Sequence, residues 1–567
     1  MEIGTLRHSA SHVLAAAVKR IYPDIKLGVG PAIEDGFYYD FGNLNIKEED
    51  LNRIEKEMRR IIEKDEKFIK KMVSRKEAEK ILKDEPYKLD LLKDLEDSKI
   101  SFYTTGDFID LCKGPHVDST KEIKAFRLTK VAGAYWKGDS DNDMLQRIYG
   151  IAFGSEKELK EYLTLREEAE KRNHVKIGKQ LELFSIHPEA PGMPFFHNKG
   201  TFIFNTLINF MRAELAKRNY EENKTPLILN KELWMRSGHW DHYKENMYFT
   251  KIDKLDFAVK PMNCPGNLLV YKTKVHSYKE LPLRAGEFGI VHRHELSGVL
   301  TGLFRVRCFT QDDAHIFCEE DQLKDEIINL IDLCDFIYKT FKFDYELELS
   351  TKPEKAMGSQ EVWDKAEKAL KEALKIKKVV YSISEGAGAF YGPKIDFHIK
   401  DALGRKWQCG TIQVDFSMPE KFDLTYEGMD GKKHRPVMVH RAIFGSLERF
   451  IGVLIEHFAG NFPLWLSPVQ VRVMSLTDRN VAFSESIVNQ LRIEGIRVDT
   501  DFRAESAGRK IRDAQLQKIP YMVTIGDKEE ANKTLAVRTR DGKVRFGIKI
   551  GILIKEILDK VENKDVE

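Results

Sequence analysis

The sequence lacks any run of about 18 apolar residues, any C-x-x-C pair and any leader-like start, and each absence removes a class of protein. No segment is expected to span a membrane, and the short apolar stretch 13–18, bounded by His12 and Lys19, is no secretion signal. Six cysteines in 567 residues (Cys112, Cys264, Cys308, Cys318, Cys334, Cys409) make no disulfide framework and suit a reducing, cytoplasmic setting. Charge of one sign is also missing. With 92 Lys and Arg against 90 Asp and Glu the net charge is +2, so a nucleic-acid partner would have to be met by local patches. There is no internal repeat and no low-complexity tract.

What is present is material for large cores: 42% hydrophobic residues in a length that suggests roughly three to four domains at about 150 residues each. A short helix is expected at 7–18, then strand and turn at 27–41. A charged helical stretch follows at 50–82, with Leu51, Ile54, Met58, Ile61 and Ile62 on one face. Strands 100–153 close a first α+β domain (1–154), and an almost wholly polar, exposed helix (155–179) leads out of it within a linker, 155–191. A large mixed α+β domain is expected at 192–466. Strand, helix and strand alternate beyond it in a small α/β domain, 467–567. The fold class is therefore α+β and multidomain.

Two motifs mislead. The glycine-rich 386–392 lacks the spacing of a nucleotide-binding G-x-G-x-x-G and of a P-loop. Lys71-Met72-Val73-Ser74-Arg75-Lys76 is loosely similar to the KMSKS loop of class I synthetases, but it reads as the solvated face of the charged helix.

Two constellations carry chemistry. His8 and His12, at i and i+4, share a helix face, and Cys112 and His116 repeat the spacing a hundred residues on. Converged, they suit a metal or acid–base chemistry; apart, they are partly buried histidines and a core thiol. Cys264, in a Pro-bounded turn, together with His315 and His440 would leave a fourth zinc position open, as in a substrate-binding site; the alternative is a buried thiol with two hydrogen-bonded histidines. Arg293, Arg305, Arg307 and Arg449 read as guanidinium forks on apolar strands, where they need an anion or a structural carboxylate.

Taken together, RHSASH, GFYYDF, CKGPH, AGAYWKGDS, KPMNCPG, FTQDDAHIF, AFYGPKIDF, QCGTIQVDF and HRAIFGSLERF resemble the threonyl-tRNA synthetases, class II aminoacyl-tRNA synthetases, from about residue 6 to about residue 545. The resemblance implies an antiparallel-sheet catalytic domain between an N-terminal editing domain and a C-terminal anticodon-binding domain. It implies activation of threonine by ATP with Mg2+, then transfer to threonine tRNA. Cys264, His315 and His440 would hold one Zn2+ per subunit, bound to the threonine amino and hydroxyl groups. Arg293 and Glu295 match motif 2 and Glu448 and Arg449 match motif 3; with Arg305 they would bind ATP. Gln311, Asp313, Tyr391, Lys394, Gln408 and Gln413 would bind threonine, and His239 would assist transfer. Pro226 resembles the motif 1 proline of a homodimer interface.

Specificity explains why one chain would carry both constellations. Zinc and Asp313 would reject valine, which leaves buried polar groups unpaired, by about 10⁴ or more. Serine lacks only a methyl, worth about 10–200-fold, so a hydrolytic site is expected. His8, His12, Cys112 and His116, with Tyr39 and Asp110, match the family's editing residues, a site usually described without zinc. Glu529 and Arg538 match anticodon-reading positions, and Arg503, Arg509, Lys510, Arg512 and Lys518 offer a basic surface for phosphates. Asn267 replaces the histidine that commonly ends CPGH, which is expected to alter the lining near the zinc, and the ubiquitin-like N-terminal module of many bacterial family members is not expected here. A regulatory paralogue without aminoacylation and a hydrolase acting only on mischarged tRNA are the rival readings; the arginine set weighs against both.

Overall fold

The computed structural model describes residues 2–34, 36–97 and 99–566, and the chain falls into two compact units, Met1–Glu168 and Ala169–Glu567. In the first, helix Ile3–Ile21 buries Leu6, Ala10, Val13, Leu14, Ala17 and Val18, spaced as one helical face, against Phe37, Tyr39 and Phe41. Those three alternate along strand Gly36–Gly42, the period-2 pattern of one sheet face. That strand pairs antiparallel with Met144–Phe153, which pairs antiparallel with Ala125–Tyr135.

The charged stretch 50–82 is not one helix. Helix Leu51–Glu63 does turn Leu51, Ile54, Met58 and Ile61 inward, but Asp65 takes a positive φ of 55° and ends it. Ile69–Ser74 is then a strand paired with Lys99–Thr105, and Ser74 caps a separate helix, Arg75–Ile81. Only Val73 of that strand is buried. With so little burial to enforce alternation, its lysines read as a solvated helix.

Within the second unit an eight-stranded sheet runs in the order Tyr220–Glu222, Leu283–His292, Cys308–Cys318, Val437–Ala442, Lys406–Asp415, Lys394–Lys400, Asp344–Ser350, Tyr381–Ser384. The six inner strands are antiparallel to their neighbours, and the two edge strands are added in parallel. Helices Leu323–Thr340 and Leu447–His457 cover one face, where Leu330, Ile337, Ile451 and Leu454 join Ile316, Ile412 and Val439 in one core. Toward the C-terminus, Val498–Asp501, Val471–Ser475 and Tyr521–Ile525 form parallel pairs and two antiparallel strands extend them.

The polar segment 155–179 is two helices, Glu156–Arg172 and His174–Gln180, the second capped by the Asn173 side chain. The first is exposed as expected. In the second, His174, Ile177 and Gly178 are buried, because the chain turns at Asn173 and packs a new face inward. No described helix is long and apolar enough to cross a membrane.

Candidate functional site

The sheet face opposite the helices borders a cavity of about 460 Å³. On strand Cys308–Cys318, Gln311, Asp313 and His315 stand at i, i+2 and i+4 and so share that face, while Ala314 and Ile316 point into the core. Gln413, His440 and His315 lie side by side on three adjacent strands. On the same strand as Gln413, Gln408 has the wrong parity to share its side. An irregularity between Phe397 and His398, opposite Cys409, shifts the register by one and brings Gln408 round to the cavity with Thr411 and Gln413.

Asp396, which the sequence did not single out, organises this wall. Buried between strands, it accepts hydrogen bonds from Lys394 Nζ, from Gln408 Nε2 at 2.8 Å and from Thr411 Oγ1 at 3.0 Å. Tyr391 donates to Gln413 Oε1 at 2.9 Å. Asn263, also not singled out, donates to Asp313 at 3.2 Å, and burial pushes the Asp313 carboxyl up to about 6.

Arg293, Glu295, Arg305 and Arg449 line the cavity too, although not from apolar strands as the sequence suggested. Arg293 follows the end of Leu283–His292, Arg305 and Arg307 lie in a loop, and Arg449 opens helix Leu447–His457. Loops and a helix start spare these cations burial inside a sheet. Arg293 stacks over Phe309 at 5.0 Å and donates to Pro261 O at 3.2 Å. Arg305 meets Glu295 at 3.1 Å. Arg449 donates to the carbonyls of Phe304 and Gln408.

The thiol of Cys264, at the start of helix Cys264–Tyr271, and ring nitrogens of His315 and His440 lie within 4.8 Å of one another. Neither ring nitrogen of the fully buried His315 has a hydrogen-bond partner, an arrangement that is costly unless something else meets them. Burial pushes the Cys264 thiol well up and holds the His315 imidazole neutral. A divalent cation would reverse the first and use the second. Asp415 faces His440 Nε2 at 2.9 Å, a carboxylate–histidine pair of the kind that orients metal ligands. The donor set fits a metal ion.

Other sequence-derived residues stand outside the cavity wall. Glu448 is turned into the protein, where it accepts from the Thr310 amide and Ser446 Oγ, and burial raises it to about 7. His239 is fully buried, between Ser237 Oγ at 2.8 Å and the sulfur of Met262, itself a cavity residue; burial lowers it to about 3. Glu529 caps its own helix by accepting from the Gly526 amide, and Arg538 donates to Gly542 O. Of the proposed basic surface, Lys510 is buried with its ammonium on Ser475 O, Arg503 is paired to Asp501 and Asp513, and Arg509 to Glu505. That surface is smaller than the sequence implied, because the alternating acids of 501–513 neutralise it. Asn267 does not line the cluster: its amide donates to Glu287 at 2.8 Å, beside the buried Lys260–Glu287 pair.

In the first unit His8, His12, Cys112 and His116 converge within the same 4.8 Å. The Cys112 sulfur lies 3.4 Å from His8 Nε2 and 3.3 Å from His116 Nε2. Tyr39 donates to Asp110 at 2.6 Å, and Lys88, missed in the sequence because it sits in an ordinary-looking charged run, pairs with the same carboxylate at 2.6 Å. Burial, reinforced by the neighbouring histidines, lowers His116 to about 2 and holds His12 far below its ordinary 6.5, while burial raises Cys112 to about 11. Unfolded, these histidines take up protons below about 6.5; folded, they do not, so stability is full above that pH and falls as pH drops through it. The opening free energy from hydrogen exchange in helix Ile3–Ile21 should decline below pH 6.5, and His12→Phe should flatten that decline; an unchanged slope would contradict it.

Residues 248–458 match the family model for the tRNA synthetase class II core domain (G, H, P, S and T), 470–560 an anticodon binding domain, and 100–149 the threonyl and alanyl tRNA synthetase second additional domain. A threonine–tRNA ligase from Clostridium tetani is 58% identical over 567 residues, covering 99% of this chain and 89% of that one. One from Acetivibrio thermocellus is 56% identical over 563 residues, with the same coverage. A solved structure, the RNA binding domain of threonyl-tRNA synthetase from Cryptosporidium parvum, superposes with a TM-score of 0.67 at 40% identity, over 68% of this chain and 98% of that one. With identity of this level along nearly its whole length, the chain belongs to the threonine–tRNA ligases, class II aminoacyl-tRNA synthetases.

Proposed function

We propose that the cavity of the second unit activates threonine with ATP and passes it to the 3′ end of threonine tRNA, and that the histidine–cysteine cluster of the first unit hydrolyses mischarged seryl-tRNA. The observation that carries this is a single cavity edged by arginines and walled by Cys264, His440 and Asp313. Attack of the threonine carboxylate on the α-phosphate needs no protein nucleophile, so position and charge carry most of the rate. Arg293 holds the carboxylate and α-phosphate, and Arg305 and Arg449 hold the outer phosphates with Mg2+. Cys264, His315 and His440 would hold Zn2+, which would supply Lewis-acid chemistry for recognising threonine. Asp313, fixed by Asn263, accepts a hydrogen bond from the threonine hydroxyl, and Gln311, Tyr391, Lys394, Gln408 and Gln413 complete the pocket. His239 acts on transfer through Met262. Glu448 serves the ATP site indirectly, by fixing the start of the helix that carries Arg449.

Residues 1–154 form the editing domain, 155–191 the linker, 192–466 the catalytic domain and 467–567 the anticodon-binding domain, where Glu529 and Arg538 contact bases. The exposed Pro226, Leu227 and Ile228 support a homodimer interface, and the reaction is cytoplasmic. Threonine-dependent ATP–pyrophosphate exchange by the metal-replete chain tests the assignment. Arg293→Ala should lower it about 10²-fold or more, the cost of one lost charge-stabilising donor. Absence of exchange, or exchange indifferent to that change, would overturn the assignment.

A further inference from the structure

His174 is the first residue of the helix His174–Gln180 and is 2% exposed. The Leu303 amide, which can only donate, points at its Nε2 at 2.9 Å, so Nε2 must carry the lone pair and Nδ1 the proton. Nδ1–H donates a hydrogen bond to Glu456 Oε1 at 2.7 Å, and the same oxygen accepts from the His174 amide at 3.0 Å. Glu456 is held in turn by Arg405, which is anchored by Asp401. The imidazole is thereby fixed in one neutral tautomer.

Apart from a stacking contact with Phe184 at 6.5 Å, its other contacts fall on one loop. The ring packs on Phe304 at 4.0 Å, and Phe304 packs on Trp407 at 4.0 Å. Gly302, at φ +49°, turns the loop so closely over the ring that a Cβ there would overlap Nε2. Thr301 and Arg305 close the turn on each other through both backbone amides. Phe304 and Arg305 then line the cavity, and the Phe304 carbonyl accepts from Arg449 Nε at 3.0 Å.

We propose that His174 is a positioning residue for the nucleotide: its neutral imidazole clamps the 301–305 turn so that Arg305 directly, and Arg449 through the Phe304 carbonyl, face the phosphates. The inference rests on the assignment of these two arginines to ATP. It ties a residue of the polar linker to the ATP site without contact to the Cys264 cluster; its one link toward the threonine pocket is the Gln408 backbone carbonyl, which Arg449 also meets.

The test is ATP–pyrophosphate exchange by the full chain with each substrate varied. His174→Ala leaves the buried Leu303 amide without its acceptor and should raise KM for ATP about tenfold while KM for threonine and bound metal stay unchanged. His174→Gln, which restores an acceptor, should recover part of the loss. Gly302→Ala should raise KM for ATP with the ring present and add less in the His174→Ala background, where the overlap with Nε2 is gone and only the positive φ and the Val175 methyl oppose the new Cβ. An unchanged KM for ATP in His174→Ala, or equal rises for both substrates, would overturn the proposal. Arg305→Ala separates the two layers. If it raises KM for ATP and His174→Ala does not, the clamp alone fails; if it does not, the assignment of the arginines fails.

Discussion

Cys264→Ser should lose bound metal and threonine activation together, with exchange down by at least about 10²-fold, since even a second-shell change at such sites costs about 10–100-fold in affinity or activity. Serine keeps the volume and a hydrogen-bonding atom, so the helix Cys264–Tyr271 and its packing on Leu281 and Met438 should survive. What it removes is the soft ligand. Without a metal the His315 ring keeps two unpartnered nitrogens in the core, so the variant should also tolerate His315→Leu better than the parent does. Asp415→Asn is the graded companion: it replaces the carboxylate that takes His440 Nε2–H, and metal affinity should fall by about 10–100-fold without abolishing binding. Metal content by atomic absorption, read beside threonine-dependent exchange, checks all three. Full activity in a metal-free Cys264→Ser chain would remove the metal from the mechanism.

The residues that could be read in advance are those placed by one period. Alternation along a strand accounts for Gln311, Asp313 and His315, the first two named through the family resemblance, as a helical turn accounts for His8 and His12. The residues that could not be read are placed by a second element. Gln408, named through the family resemblance, would be turned away by periodicity and reaches the cavity only because of a register slip opposite Cys409, while Asp396, not named at all, acquires its role from two neighbouring strands. Lys88 and His174 look like members of solvated charged runs. Each is buried because a distant carboxylate, Asp110 or Glu456, meets it. The lysine-rich strand Ile69–Ser74 fails for the converse reason, since an exposed edge gives sequence pattern nothing to act on.

His8→Ala combined with His12→Ala should leave threonine activation and charging at the parent rate, because every residue assigned to those steps lies in Ala169–Glu567. Hydrolysis of seryl-tRNA should fall by about 10²–10⁴-fold, the range that positioned acid–base groups contribute, and seryl-tRNA should accumulate when serine is supplied. The electrostatics assign the work to the imidazoles. At pH 7 His116, lowered to about 2, and the buried His12 are neutral and present ring lone pairs that can orient a water by hydrogen bonding, whereas Cys112, raised to about 11, stays a thiol and is a poor nucleophile. Cys112→Ser, which keeps a small donor and acceptor between His8 and His116, should therefore cost far less than the double histidine change. Lys88→Met should fall between them, since it strips Asp110 of its ion pair while leaving Tyr39 in place. Deacylation rates measured on purified seryl-tRNA rank these variants, and a Cys112→Ser chain as inactive as the double histidine variant would shift the chemistry from the rings to the sulfur.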